Sequence, residues 1–134
     1  MSKAKKTRNS NTWSEAKYWG SIRSALRKHF QYWKPIQAAK KLARVRVTGW
    51  GKTRFGYVCS FCGNTFKDKH CVVDHKIPVG SLSQLSDLAD FVANLTAEDP
   101  RAYQVLCHEC HQTKTNLEKK ERTLKRSGQL SLKI

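Results

Sequence analysis

A chain of 134 residues with 26 Lys and Arg against 10 Asp and Glu carries a formal charge of +16. An excess of that size is far beyond what solubility requires and points to a polyanionic partner, nucleic acid first. No apolar run approaches the ~20 residues needed to cross a bilayer, and nothing reads as an insertion face, so no membrane partner is expected.

The length suits one modest domain near the lower edge of what a hydrophobic core alone can hold, so a metal clip would help. Five cysteines, with no apolar signal segment ahead of them, argue against secretion and disulfides and for a reducing cytoplasm. Residues 1–56 hold fifteen Lys or Arg and one acid, Glu15, whereas residues 57–134 hold eleven bases and nine acids. That asymmetry predicts a basic, nucleic-acid-binding extension over 1–56 and a core over 57–126 where chemistry should be sought. Residues 127–134 are left as a tail.

Residues 1–11, with Lys3, Lys5, Lys6 and Arg8, read as a disordered segment that either touches phosphate without sequence preference or is simply solvated. Thr12-Trp13-Ser14-Glu15 has capping-box spacing, with Thr12 as the cap. Behind it Trp19, Ile22, Leu26, Phe30 and Trp33 recur at steps of three and four and form a core-facing stripe, with Arg23, Arg27 and Lys28 beside or opposite it. Pro35 ends this helix and suits the first turn of the next, expected over 35–47. That second helix carries Lys40, Lys41, Arg44 and Arg46, which together with Arg23 and Arg27 can follow a phosphate backbone.

Residues 48–56 include three glycines and break the periodicity as a loop. Trp50 and Phe55 there either pack on the domain or stack on an unpaired base. Tyr57-Val58 is a short strand entering Cys59-Ser60-Phe61-Cys62, and Gly63 permits the tight turn of a metal knuckle. Cys71-Val72-Val73 is a second β-prone run, ending at Asp74-His75. Ser81-Leu82-Ser83-Gln84 is another capping-box pattern, followed by apolar Leu85, Leu88, Ala89, Val92 and Leu95 at helical spacing. Residues 81–100 form the one acidic region and should lie away from nucleic acid. Tyr103 to Leu106 is a short strand, Cys107 to about Arg126 a knuckle continuing as a polar helix, and Leu130, Leu132 and Ile134 alternate in the tail.

A structural zinc takes four ligands at a tetrahedral centre, and a CxxC turn delivers two thiolates from one bend. Cys59, Cys62, Cys107 and Cys110 supply the set, which leaves Cys71 as a buried core residue. Redox chemistry at either CxxC is disfavoured because neither lies in a βαβ setting.

Cys59 to Cys62, Asp74-His75-Lys76-Ile77-Pro78, and Leu106 to Thr115 with its Cys110-His111-x-x-Lys114 step resemble the HNH endonuclease family over roughly residues 57–118. Ser21 to Arg27 and Trp33-Lys34-Pro35 look like the N-terminal extension of its bacteriophage-encoded members. The resemblance implies an α+β chain with a small zinc-stabilised ββα-metal core behind a basic helical extension. It also implies that Asp74 and His111 hold one catalytic divalent cation, Mg²⁺ or Mn²⁺ first and Ni²⁺ or Zn²⁺ as alternatives, while His75 is the general base. An imidazole titrates near about 6.5, so His75 can be neutral and basic at physiological pH. Lys76 and Lys114 would face DNA phosphate.

The activity so implied is phosphodiester hydrolysis on double-stranded DNA with weak or no sequence specificity, in a host cytoplasm and with possible phage packaging proteins as partners. The rival expectation is a non-catalytic, zinc-dependent nucleic-acid-binding module. One departure favours it: the asparagine that braces the family's hairpin loop is replaced here by Ala102. Oligomeric state is not readable.

Overall fold

The computed structural model describes residues 3–126, so the tail expected over 127–134 lies outside the described residues. Asn9, Ser10 and Asn11 turn the basic N-terminal stretch back on itself, all three at positive φ, a region that asparagine tolerates better than most residues. The flanks pair antiparallel, β1 (Lys6–Arg8) with β2 (Trp13–Ser14). From Lys6 to Asn11 the segment expected to be disordered therefore forms a strand and a turn. Arg8 fastens the turn instead, pairing with Glu15 at 3.0 Å and lying over the Tyr18 ring.

Helix α1 spans Glu15–His29, and its cap is Ser14, whose Oγ accepts from the Lys17 N–H at 3.2 Å. Thr12, expected as the cap, donates its hydroxyl to the Asn9 carbonyl at 2.7 Å within the preceding turn. Basic Arg27, Lys28 and His29 close the helix, where cations complement the exposed carbonyls. Helix α2 spans Lys34–Leu42 with Pro35 in its first turn.

The helix expected over 35–47 stops at Leu42, and Arg44–Arg46 forms strand β3, antiparallel to β4 (Phe55–Val58). Val45 and Val47 are β-branched and suit a pleated ribbon, and the Val47 N–H closes it on the Arg54 carbonyl at 2.9 Å. β4 pairs also with β5 (Thr65–Phe66), giving the order β3-β4-β5. β6 (Cys71–His75) pairs with β7 (Tyr103–Cys107) in a separate two-stranded sheet.

Helix α3 spans Leu88–Leu95 and α4 His108–Arg126. The capping box expected at Ser81 to Gln84 does not form. Ser83 instead donates from both N–H and Oγ to Asp87 Oδ2, at 3.0 and 3.2 Å, and a 3-10 turn over Leu85–Asp87 leads into α3. Leu85 is consequently exposed rather than part of the apolar stripe.

The chain makes two compact units, each from two stretches: residues up to Ala38 with His75–Tyr103, and Ala39–Asp74 with the chain from Gln104 onward. Segments 1–56 and 57–126 thus both contribute to each. The first unit is built on Trp19, Val79, Leu82, Phe91 and Leu95, with Tyr18, Ile22, Leu26 and Phe30 packed against them. The α1 stripe packs on the core, as its spacing predicts, with Trp19 buried and Ile22, Leu26 and Phe30 half-buried; full burial of such a side chain is worth about 1.5–3 kcal/mol and partial burial proportionately less. Arg23 and Trp33 spend their polar ends inside this unit, on the Leu82 carbonyl at 3.0 Å and the Ala97 carbonyl at 3.2 Å.

The second unit is centred on Cys59, Leu106 and Cys107, with Phe66, Val72 and Cys110 against them. Its apolar heart is small, and three of those six side chains are cysteines. Among the described residues no helix is long and apolar enough to cross a membrane.

Candidate metal centre

The turn between β4 and β5 carries the first cysteine pair. The Cys59 N–H donates to the Asn64 carbonyl and the Gly63 N–H to the Cys59 carbonyl, both at 2.9 Å, with Gly63 at φ 75°. Cys107 ends β7 and Cys110 lies in the first turn of α4, its N–H on Cys107 Sγ at 3.4 Å. The four sulfurs of Cys59, Cys62, Cys107 and Cys110 all fall within 4.8 Å of one another, and none of them is in a disulfide. Tetrahedral Zn–S bonds of about 2.3 Å place sulfurs about 3.8 Å apart, so this set can close on a zinc ion with small adjustments.

The thiols are not equivalent. Burial opposes ionisation of Cys59, but the N–H groups of Cys62, Cys107 and Phe61 directed at its sulfur outweigh that and bring it down to about 6. Cys110, donating to the Cys107 sulfur and further hindered by burial, is pushed up to about 12. Crowded thiols share protons in this way, and a bound metal removes the need by taking all four as thiolates. Cys71 stands apart as a half-buried thiol, pushed up mainly by burial.

In the same unit, Asp74 near the end of β6 meets the first turns of α4. Its Oδ1 is 3.6 Å from His111 Nε2, and its Oδ2 is 2.8 Å from Lys114 Nζ. His111 and Lys114 are three apart on the helix and so share a face. Asp74 Oδ2 is sealed from solvent, and the Lys114 ammonium is its ion-pair partner there.

Lys114, expected to face phosphate, is only 12% exposed at its side chain and pairs with Glu118 as well as Asp74. Burial works against its charge, but the two carboxylates prevail and raise its pKa. The sequence signal for this pair was available: Lys114 follows His111 by one helical turn, so whatever His111 faces, Lys114 can reach.

His75 follows Asp74 and ends β6. Its Nε2 lies 3.2 Å from the Leu95 carbonyl, and its ring tilts against Tyr103 at 4.8 Å between centroids. A carbonyl can only accept, so Nε2 carries the proton and Nδ1 is the basic nitrogen of the neutral ring. Tyr103 is itself held by its hydroxyl on the Ala97 carbonyl at 2.8 Å. Ala102 brings no side-chain amide, but its carbonyl accepts from the Lys76 N–H at 2.9 Å. Asn94, on α3, donates to the Val79 carbonyl at 3.1 Å. The loop after β6 is thus braced by a backbone group and by an asparagine from another element.

The other basic residues divide by environment. Arg23 is committed to Leu82, and Lys40 to Asp68 and the Tyr57 ring. Arg27 lies over the Phe91 ring at 5.6 Å and Arg44 over the Phe55 ring at 4.3 Å. Arg27, Lys41, Arg44, Arg46 and Lys76 are exposed. Trp50 is packed, its ring within 3.1 Å of where a Cβ on Gly56 would stand.

No family model, curated protein or solved structure matches the chain. What is established is a mixed helix-and-strand chain carrying a four-cysteine cluster able to hold a metal.

Proposed function

We propose that the chain is a metal-dependent endonuclease of the HNH type, hydrolysing DNA phosphodiester bonds, with zinc on its four cysteines and one divalent cation held by Asp74 and His111. The observation that carries this reading is the approach of Asp74 Oδ1 to His111 Nε2 at 3.6 Å, where the end of β6 meets the first turn of α4. When bound, the cation would neutralise charge at the scissile phosphate and on the leaving oxygen. His75 would take the proton of the attacking water at Nδ1, its ring oriented by the Leu95 carbonyl and Tyr103. The net charge of +16 supplies attraction for the polyanion.

A second reading has its own support. Lys114 Nζ already places a positive charge against Asp74 at 2.8 Å, as would suit a zinc-dependent nucleic-acid-binding module in which Asp74 and His111 are structural.

Plasmid nicking by zinc-loaded protein with Mg²⁺, Mn²⁺, Ni²⁺ or Zn²⁺, against a His75→Ala control, separates the two. Cutting that needs both added cation and His75 supports the enzyme. Binding without cutting under every metal, or equal cutting by the variant, removes it.

A further inference from the structure

We propose that the exposed end of the β3–β4 face, formed by Arg44, Arg46 and Phe55, is a stacking platform on which the chain holds nucleic acid as an unpaired strand. The proposal rests on the reading of nucleic acid as the partner and adds the form in which it is bound.

The antiparallel register sets Arg44 opposite Tyr57, Val45 opposite Gly56 and Arg46 opposite Phe55. Directly opposed residues point to the same side, so Arg44, Arg46, Phe55 and Tyr57 share one face. The other face is closed at Gly56, where a Cβ would meet Thr65 Cγ2 at 2.6 Å and the Trp50 ring at 3.1 Å, while Val45 opposite it is exposed. On the first face the Tyr57 end is covered, since Lys40 lies over that ring and pairs with Asp68.

The Phe55 end is open, with Phe55 37% exposed and both arginines exposed. Among the described residues neither Arg44 nor Arg46 pairs with a carboxylate, and Ala39 to Val58 holds six Lys or Arg and no acid. Arg44 lies on the Phe55 ring at 4.3 Å. A guanidinium in that position is a flat cation whose outer plane can take a base while its N–H groups take phosphate.

Charge complementarity makes the occupant a nucleic acid, and the aromatic group decides its form. A duplex keeps the faces of its bases stacked on one another, so a ring projecting from a sheet has nothing to stack against except at an end. An unpaired strand offers base faces and phosphates together, and stacking on a protein aromatic is tolerant of sequence.

The test is fluorescence anisotropy with the full, zinc-loaded chain and no other divalent cation. The probes are a labelled oligothymidylate of about 20 nucleotides and a mixed-sequence duplex of the same length, chosen to exceed one site. Phe55→Ala is expected to weaken oligothymidylate binding about tenfold and duplex binding less than about twofold. Arg44→Lys, which keeps the charge and loses the plane, is expected to weaken oligothymidylate about threefold with an unchanged salt slope. Should Phe55→Ala lose zinc content or circular dichroism, Arg44→Lys, an exposed change, decides alone.

Unchanged oligothymidylate binding in both variants, or equal weakening of single strand and duplex, overturns the platform. Plasmid nicking is read separately. Intact cutting without the Phe55 dependence removes the platform alone, and Phe55-dependent binding without cutting removes the nuclease alone.

Discussion

His75 Nε2 lies 3.2 Å from the Leu95 carbonyl, which can only accept, so in the neutral ring this nitrogen holds the proton and Nδ1 is the basic one. In the proposed enzyme His75→Ala should therefore reduce plasmid nicking by a factor of about 10²–10⁴ and leave duplex affinity within about twofold. His75→Gln, which retains a donor for Leu95 but no base, should be as inactive as alanine. Matched nicking and anisotropy assays check both.

Zinc should be a condition of folding for the second unit, whose core is made largely of cysteine. Zinc content by atomic absorption should be one ion per chain, and Cys107→Ser should abolish it. Metal binding requires four thiolates and expels their protons, Cys110 being the costliest to deprotonate because its thiol is held up at about 12. Affinity thus falls as pH falls, and zinc release to a coloured chelator should rise steeply on going from pH 8 towards pH 5. Release independent of pH would count against thiolate ligation.

The Asp74–Lys114 ion pair makes a prediction of opposite sign. The pKa of Lys114 is raised above its ordinary value of 10.5, so its stabilising contribution is complete below that value and is lost as pH rises through the raised one. Lys114→Met should cost about 2 kcal/mol at pH 7, and the gap from wild type should narrow as pH rises beyond 10.5 and through the raised value. The same variant removes the ammonium competing for Asp74 and should bind Mn²⁺ more tightly. Urea melts at several pH values and Mn²⁺ titration provide the measurements.

Gly56→Ala should destabilise the chain by about 1–3 kcal/mol through overpacking. The added Cβ meets Thr65 Cγ2 at 2.6 Å and the Phe66 carbonyl at 3.2 Å, and the backbone carbonyl cannot rotate away. Urea denaturation followed by tryptophan fluorescence reads it directly, Trp50 being packed against the same spot.

The parts of the fold that were legible in the sequence are those specified locally. The α1 stripe is a run of apolar steps within one element, and the two CxxC turns each bring two sulfurs together within four residues. What was missed depends on partners distant in the chain or on choices between neighbouring groups. Arg44–Arg46 continues a helical charge pattern, and only its pairing with Phe55–Val58 makes it a strand. Ser14 caps α1 because Thr12 is already engaged by the Asn9 carbonyl in a turn that the positive φ of three residues creates. Ser81 and Gln84 have capping-box spacing, but Ser83 finds Asp87 first. Within the candidate site, Asp74, His111 and the Lys114 one helical turn beyond it were visible as residues; that the Lys114 ammonium is taken up by Asp74 and Glu118 rather than left facing phosphate depends on β6 meeting α4.

The two cysteine pairs stand at the ends of a 44-residue excursion from Gly63 to Leu106. With zinc bound, continuity between those ends is provided twice, once by peptide bonds and once by coordination. A protease cut in the exposed stretch from Ser83 to Ser86 would therefore open a ring rather than sever a line. The nicked product should migrate as one species while the metal is held and as two after chelation under denaturing but non-reducing conditions.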